Sequence, residues 1–151
     1  MSLREKLNAE IKNAMINKNK ERLSALRLLL AEVKKIEVES SDRSQMLADD
    51  QVISIASKMI KERKDSAAQY RSAGREELAS AEEAEIAVIS EFLPEQLTAE
   101  ELNKILIETI NEVGATSAKD MGKVMSAIKP KVQGKTDMGA LSGLVKAQLN
   151  K

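Results

Sequence analysis

Residues that break helices are scarce in this chain and stand at separated points. The first 113 of its 151 residues contain a single glycine, Gly74, and a single proline, Pro94. The other proline is Pro130, and the remaining glycines begin at Gly114. Between these points the apolar residues recur every three or four positions, the spacing of one face of an α-helix. Tyr70 and Phe92 are the whole aromatic complement. Sandwiches and barrels draw on aromatic and β-branched side chains. The sequence therefore predicts an all-α fold, an N-terminal four-helix part followed by a C-terminal three-helix bundle.

The helices can be placed from their caps and stripes. Ser2 with Glu5 three residues on reads as a capping box, and Leu3, Leu7, Ile11 and Met15 follow on one face. Asn17 to Lys20 interrupts the pattern, and a second helix carries Leu23, Leu26, Leu29, Leu30, Val33 and Ile36. Ser40 to Gln45 reads as a loop. A third helix, from about Asp49 to Ala73, has the stripe Val52, Ala56, Met59, Ile60, Ala67 and Tyr70, with Gly74 as its natural C-terminal stop. A fourth runs from Arg75 or Glu76 to Phe92, where Pro94 forces a break. Thr98 with Glu101 caps the fifth, which buries Leu102, Ile105, Leu106, Ile110 and Val113 and ends at Gly114. Ser117 with Asp120 is expected to start the sixth, with Met121, Val124, Met125 and Ile128 inward and Pro130 ending or kinking it. Asp137 is expected to cap a last helix with Leu141, Leu144, Val145 and Leu149 inward, its Gly139 and Gly143 serving close packing against a neighbour. The expected division is 1–96, an N-terminal helical domain, and 97–151, a C-terminal three-helix domain.

Composition removes several kinds of chemistry. The chain has no Cys and no His. Disulfides, thiolate nucleophiles, Ser-His or Cys-His catalysis and the usual zinc sites are thereby excluded. No catalytic residue, metal ligand or cofactor is expected. Apolar runs are short, such as Leu28-Leu29-Leu30-Ala31, far below the ~20 residues of a membrane span. The opening residues, Met1 to Lys6, have no apolar stretch of the secretory kind. The location expected from these features is the cytoplasm.

Charge is balanced overall, with 24 basic and 24 acidic residues, but unevenly distributed. From residue 119 to the end there are seven lysines, at positions 119, 123, 129, 131, 135, 146 and 151, against Asp120 and Asp137. Lys119 and Lys123 fall opposite the apolar face of the sixth helix. Lys129, Lys131 and Lys135 follow around Pro130 and Gly134, and Lys146 lies on the last helix. Ammonium groups gathered with little acid nearby suit phosphate oxygens. A solvated lysine face is the plainer alternative. Gly134-Lys135-Thr136 imitates the end of a phosphate-binding loop, but Lys129 stands where that loop needs its first glycine, and no strand precedes it; a nucleotide site is not expected. A weaker basic patch comprises Arg63, Lys64, Arg71 and Arg75. Arg63 falls on an apolar stripe, which predicts an ion pair, with Asp65 or the Glu82-Glu83-Glu85 group as partner. Two aromatics are too few for a base-stacking platform, so any RNA would be read as a folded shape through its backbone.

Several stretches taken together resemble the YqeY-like family, also called the GatB/YqeY domain family. They are Leu23-Ser24-Ala25-Leu26-Arg27, Ile60-Lys61-Glu62-Arg63-Lys64-Asp65-Ser66, Ala73-Gly74-Arg75, Glu91-Phe92-Leu93-Pro94-Glu95-Gln96-Leu97 and Asp120-Met121-Gly122-Lys123-Val124-Met125. The resemblance implies a helical protein of two parts. Its C-terminal part is similar to the tail domain of the B subunit of the glutamine-dependent tRNA amidotransferase, a domain that contacts tRNA. The positions the resemblance marks are Lys119, Gly122, Lys123, Lys129, Lys131, Gly134, Lys135 and Asp137. Gln133-Gly134-Lys135 stands where family members often have Lys-Gly-Arg, so the positive charge is kept without arginine's bidentate fork. Three functions are implied or open: binding of tRNA or another structured RNA, docking of a larger enzyme as an adaptor, and a carbon–nitrogen ligase activity with glutamine as amido donor, the last through the domain resemblance alone.

Overall fold

The computed structural model describes residues 1–40 and 46–150. Most of the expected loop from Ser40 to Gln45, and Lys151, lie outside the described residues. The fold is all-α, as expected: α1 (Leu3–Ile16), α2 (Lys20–Glu39), α3 (Asp49–Ser72), α4 (Glu76–Ile89), α5 (Ala99–Val113), α6 (Met121–Val132) and α7 (Met138–Leu149). Among the described residues there is no strand. The chain divides into two compact units, Met1–Leu93 and Pro94–Lys151.

In the first unit α1 to α4 enclose one apolar core. Its fully buried side chains include Leu7, Leu26, Leu29, Val33, Val52, Ile89 and Phe92. Each such burial is worth ~1.5–3 kcal/mol. The Ser2–Glu5 capping box forms as read: Glu5 N–H donates to Ser2 Oγ at 3.1 Å and Ser2 N–H to the Glu5 carboxylate at 3.2 Å. Met15, expected inward, is 54% exposed, and Ala14 is buried in its stead. The reason is geometric. A four-residue repeat drifts ~40° per step, so Ala14 lies closer to the direction of Leu7 than Met15 does. On α2, Ile36 is 38% exposed, and Glu37 takes the inner position. Helix α3 ends as read, with Gly74 at φ +74°, Arg75 N–H donating to Tyr70 O at 2.8 Å and Gly74 N–H to Arg71 O at 3.1 Å. Tyr70 itself is only half-buried. Helix α4 stops at Ile89, and Ser90–Phe92 tightens into a 3-10 turn that sets Phe92 in the core.

The second unit packs α5, α6 and α7 around Leu102, Leu106, Val124, Ile128, Val132, Leu141, Val145 and Leu149. Segment 94–97 belongs to it: Leu97 N–H donates to Lys135 O at 2.8 Å and the Gln96 amide to Gly134 O at 2.6 Å. The division therefore falls between Leu93 and Pro94, ahead of the 96/97 boundary expected from the sequence. Ser117 does not begin α6. A 3-10 turn, Ala118–Asp120, intervenes, and no side chain caps it at Ser117. Pro130 does not end α6, which runs two residues further to Val132; its ring removes one donor, and the last turn still closes through Gln133 N–H on Lys129 O at 2.9 Å. Leu144, expected inward, is 46% exposed. Gly139 and Gly143 are exposed too, and a Cβ at Gly143 would meet nothing within 4 Å. Among the described residues Gly143 therefore makes none of the expected close packing.

Candidate nucleic-acid interface

The candidate interface is built on α6, the turn before it and the turn after it. Val124, Ile128 and Val132 face the core. On the opposite arc lie Gly122 and Ser126, with Lys123 on one edge and Lys129 on the other, ~120° apart around the helix axis; all four are exposed. Lys119, on the preceding turn, is exposed as well. Gly122 lies in ordinary helical backbone, and a Cβ there would meet nothing within 4 Å. Packing inside the unit therefore does not require a glycine at this position. What it leaves is bare backbone between lysines.

Lys135 is held from below. Gly134 is buried and takes φ +75°, a left-handed conformation that favours glycine. Lys135 N–H donates to Val132 O at 2.8 Å, and the Gln96 and Leu97 bonds clamp the turn from the other side. Lys135 is thus half-buried on a fixed backbone.

The two acids of this region are occupied by backbone. Asp120 accepts from Thr116 N–H at 2.9 Å. That bond, with a second from Ser117 and the charge of Lys123, holds its carboxyl below the usual aspartate range. Asp137 accepts from Gly139 N–H at 2.9 Å and caps α7, as read from the sequence. Among the described residues Lys119, Lys123, Lys129, Lys135 and Lys146 make no ion pair. Lys131 is the exception and corrects the expectation of an unopposed cluster. It is half-buried, its Nζ lies 2.7 Å from the Glu112 carboxylate, and it donates to Thr109 Oγ1 at 3.0 Å. Its position, close to the core-facing arc of α6, turns it toward α5. Lys146 is exposed on α7.

The second basic patch behaves differently. Arg63 donates to Glu85 at 2.8 Å, one of the partners the sequence offered; Asp65 is not its partner. Arg71 is bound by Glu76 at 2.8 Å and also by Glu83. Lys64 and Arg75 are exposed. With two of its four cations already paired, the patch does not present the charge it carries in the sequence.

One polar feature had no sequence signal. Arg4, buried on α1, donates from Nε to Glu37 at 2.9 Å, and Glu37 also accepts from Leu47 N–H at 3.0 Å. The Arg4 guanidinium and that backbone bond hold the Glu37 carboxyl below the usual glutamate range. Both residues read as ordinary surface charge in a helical pattern, and only the packing of α1 on α2 brings them together.

Among the described residues no group of His, Cys, Asp or Glu could hold a metal ion, and no helix is long and apolar enough to cross a membrane. Two curated relatives are similar to most of the chain. One, "Altered inheritance of mitochondria protein 41, mitochondrial" from Pyrenophora tritici-repentis, is 32% identical over 130 residues, covering 82% of this chain and 70% of its own. The protein of the same name from Clavispora lusitaniae is 25% identical over 146 residues, covering 95% of this chain and 82% of its own. Both are named as mitochondrial, and this overturns the cytoplasmic location expected from composition. Compartment is decided by addressing segments and leaves no mark in a packed helical core. The model of the Yqey-like protein family matches residues 4–149, nearly the whole length, and the chain belongs to the YqeY-like family.

Proposed function

We propose that this protein binds structured RNA, with tRNA as the favoured class, through the lysines around α6, and that it acts by binding and not by catalysis. The observation that carries this reading is the arrangement around Gly122. Lys119 and Lys123 adjoin this bare helix backbone in sequence, Lys129 follows farther along the same exposed arc and Lys135 on the turn after α6, and the neighbouring acids, Asp120 and Asp137, are engaged by backbone N–H groups. Cations left without carboxylate partners attract phosphate, and a glycine lets a phosphate backbone approach the helix closely. The similarity of this region to a tRNA-contacting tail domain supports tRNA over other polyanions. The names of the two relatives support a mitochondrial setting.

The test is fluorescence-anisotropy titration of the full chain with native tRNA across a salt series. Affinity is expected to fall with salt, with a log–log slope of about −0.7 to −0.9 for each phosphate contacted. The triple variant Lys119→Ala, Lys123→Ala, Lys135→Ala should bind more weakly and lose roughly two to three units of that slope. Lys131→Ala, whose ammonium is already held by Glu112, should change the slope least. Binding indifferent to salt, or unaffected by the triple variant, rules the reading out.

A further inference from the structure

The outer face of α2 is uncovered along its length. Ser24, Leu28, Ala31, Lys35 and Val38 are all exposed, and they follow one another at intervals of four, three, four and three residues. That is the seam spacing of a coiled coil. The side of α2 that packs in its own unit is the opposite one, with Leu26, Leu29 and Val33. A recess of about 360 Å³ opens on the same outer face beside Leu28, between Lys20 and Arg27, and gives a neighbouring helix room for a side chain.

The seam has two differently charged edges. Lys20, Arg27 and Lys34 line one edge at intervals of seven residues, and Glu32 and Glu39 line the other. All are exposed, and none makes an ion pair among the described residues. A polyanion would meet repulsion from the glutamate edge and would leave Leu28 and Val38 uncovered. The complement is a helix with the same two edges in the opposite places. In a parallel pair, a residue on the basic edge of one helix faces the residue five positions later on the other helix. In α2 those residues are Glu32 for Arg27 and Glu39 for Lys34. An antiparallel pair would set like charge against like.

We propose that this face of α2 is a contact surface for a second copy of the chain, the two helices lying parallel about a two-fold axis. Each copy then contributes Arg27 and Lys34 to Glu32 and Glu39 of the other, so the contact is isologous. Lys35 lies in the seam beside its symmetry mate, and Glu21 falls seven residues before Leu28 in the same series. Both weaken the pair, which makes the dimer concentration-dependent and leaves the register to the charged edges.

Sedimentation equilibrium of the full chain from about 10 µM to about 1 mM tests this. The mass should move from 16.6 kDa toward twice that value. Arg27→Glu with Lys34→Glu should abolish the shift, and adding Glu32→Arg with Glu39→Lys should restore it. Lys35→Leu, an exposed position where a merely structural role would gain nothing, should tighten the dimer by about tenfold or more. A chain that stays monomeric even with Lys35→Leu, or a dimer that survives the double charge reversal, overturns the proposal. Because the second readout needs only a folded single variant, failure of the charge-reversed proteins to fold does not protect the idea.

Discussion

The arginines that link helices in the first unit and the lysines around α6 in the second are used in opposite ways. In the first, arginine is drawn into carboxylate networks: Arg4 with Glu37, Arg22 between Glu10 and Glu91, Arg63 with Glu85. Arg22 in turn holds the Glu91 carboxyl below its usual range. In the second unit the cations are lysines: Lys131 is paired with Glu112, while Asp120 and Asp137 beside the others accept from backbone N–H groups. The same two charge signs therefore link helices through arginine in the first unit and leave Lys119, Lys123 and Lys129 around α6 without an ion pair among the described residues. Counting charged residues does not distinguish these uses. Asking what each carboxylate accepts from does.

The largest effect that would break this contrast is at Glu37. Glu37→Ala leaves Arg4 buried without its carboxylate and Leu47 N–H without its acceptor. Unfolding by urea should show a loss of about 3–5 kcal/mol, the range for breaking a buried pair from one side. A loss under about 1 kcal/mol would mean that the pair is not structural. The pH dependence sharpens the same point. Because the folded carboxyl is held low, its contribution is complete above the unfolded glutamate pKa and disappears as pH falls through the folded value. Wild type should therefore be more stable than Glu37→Gln at neutral pH, and the difference should shrink below the ordinary glutamate range. A gap that stays constant on acidification would contradict the assignment.

Smaller effects test the second unit. Gly114 ends α5 at φ +68°, so Gly114→Ala should cost about 1 kcal/mol through backbone strain alone. Gly143 is exposed in ordinary helix with open space around it, so Gly143→Ala should stabilise by about 0.4–1 kcal/mol. Opposite signs in thermal melts are the expected result. A destabilising Gly143→Ala would reveal packing at that face which the isolated chain does not show.

Much of the fold was legible because it rests on local rules. The capping boxes at Ser2 and Thr98, the stops at Gly74 and Gly114 and the Asp137 cap all act within a few residues of themselves. The errors came where a face is chosen by a neighbour. Ile36 and Leu144 each fit an apolar period, yet the packing of adjoining helices leaves them outside, and Met15 drifts off the face because its repeat is four residues long. The lysines of the candidate interface could be named from charge alone. That Lys131 is tied to Glu112 and Arg71 to Glu76 and Glu83 could not be read, and for Arg63 the sequence offered Glu85 only among several carboxylates, because pairs 5 to 22 residues apart meet only after the helices pack.

The order of residues by itself determined seven helices, several of their caps and the basic character of the segment from Lys119 onward, since propensity, caps and charge are properties of short segments. The tertiary structure alone decided which charges remain available. An ion pair needs two side chains within about 4 Å, and distance across a bundle is not a property of either segment.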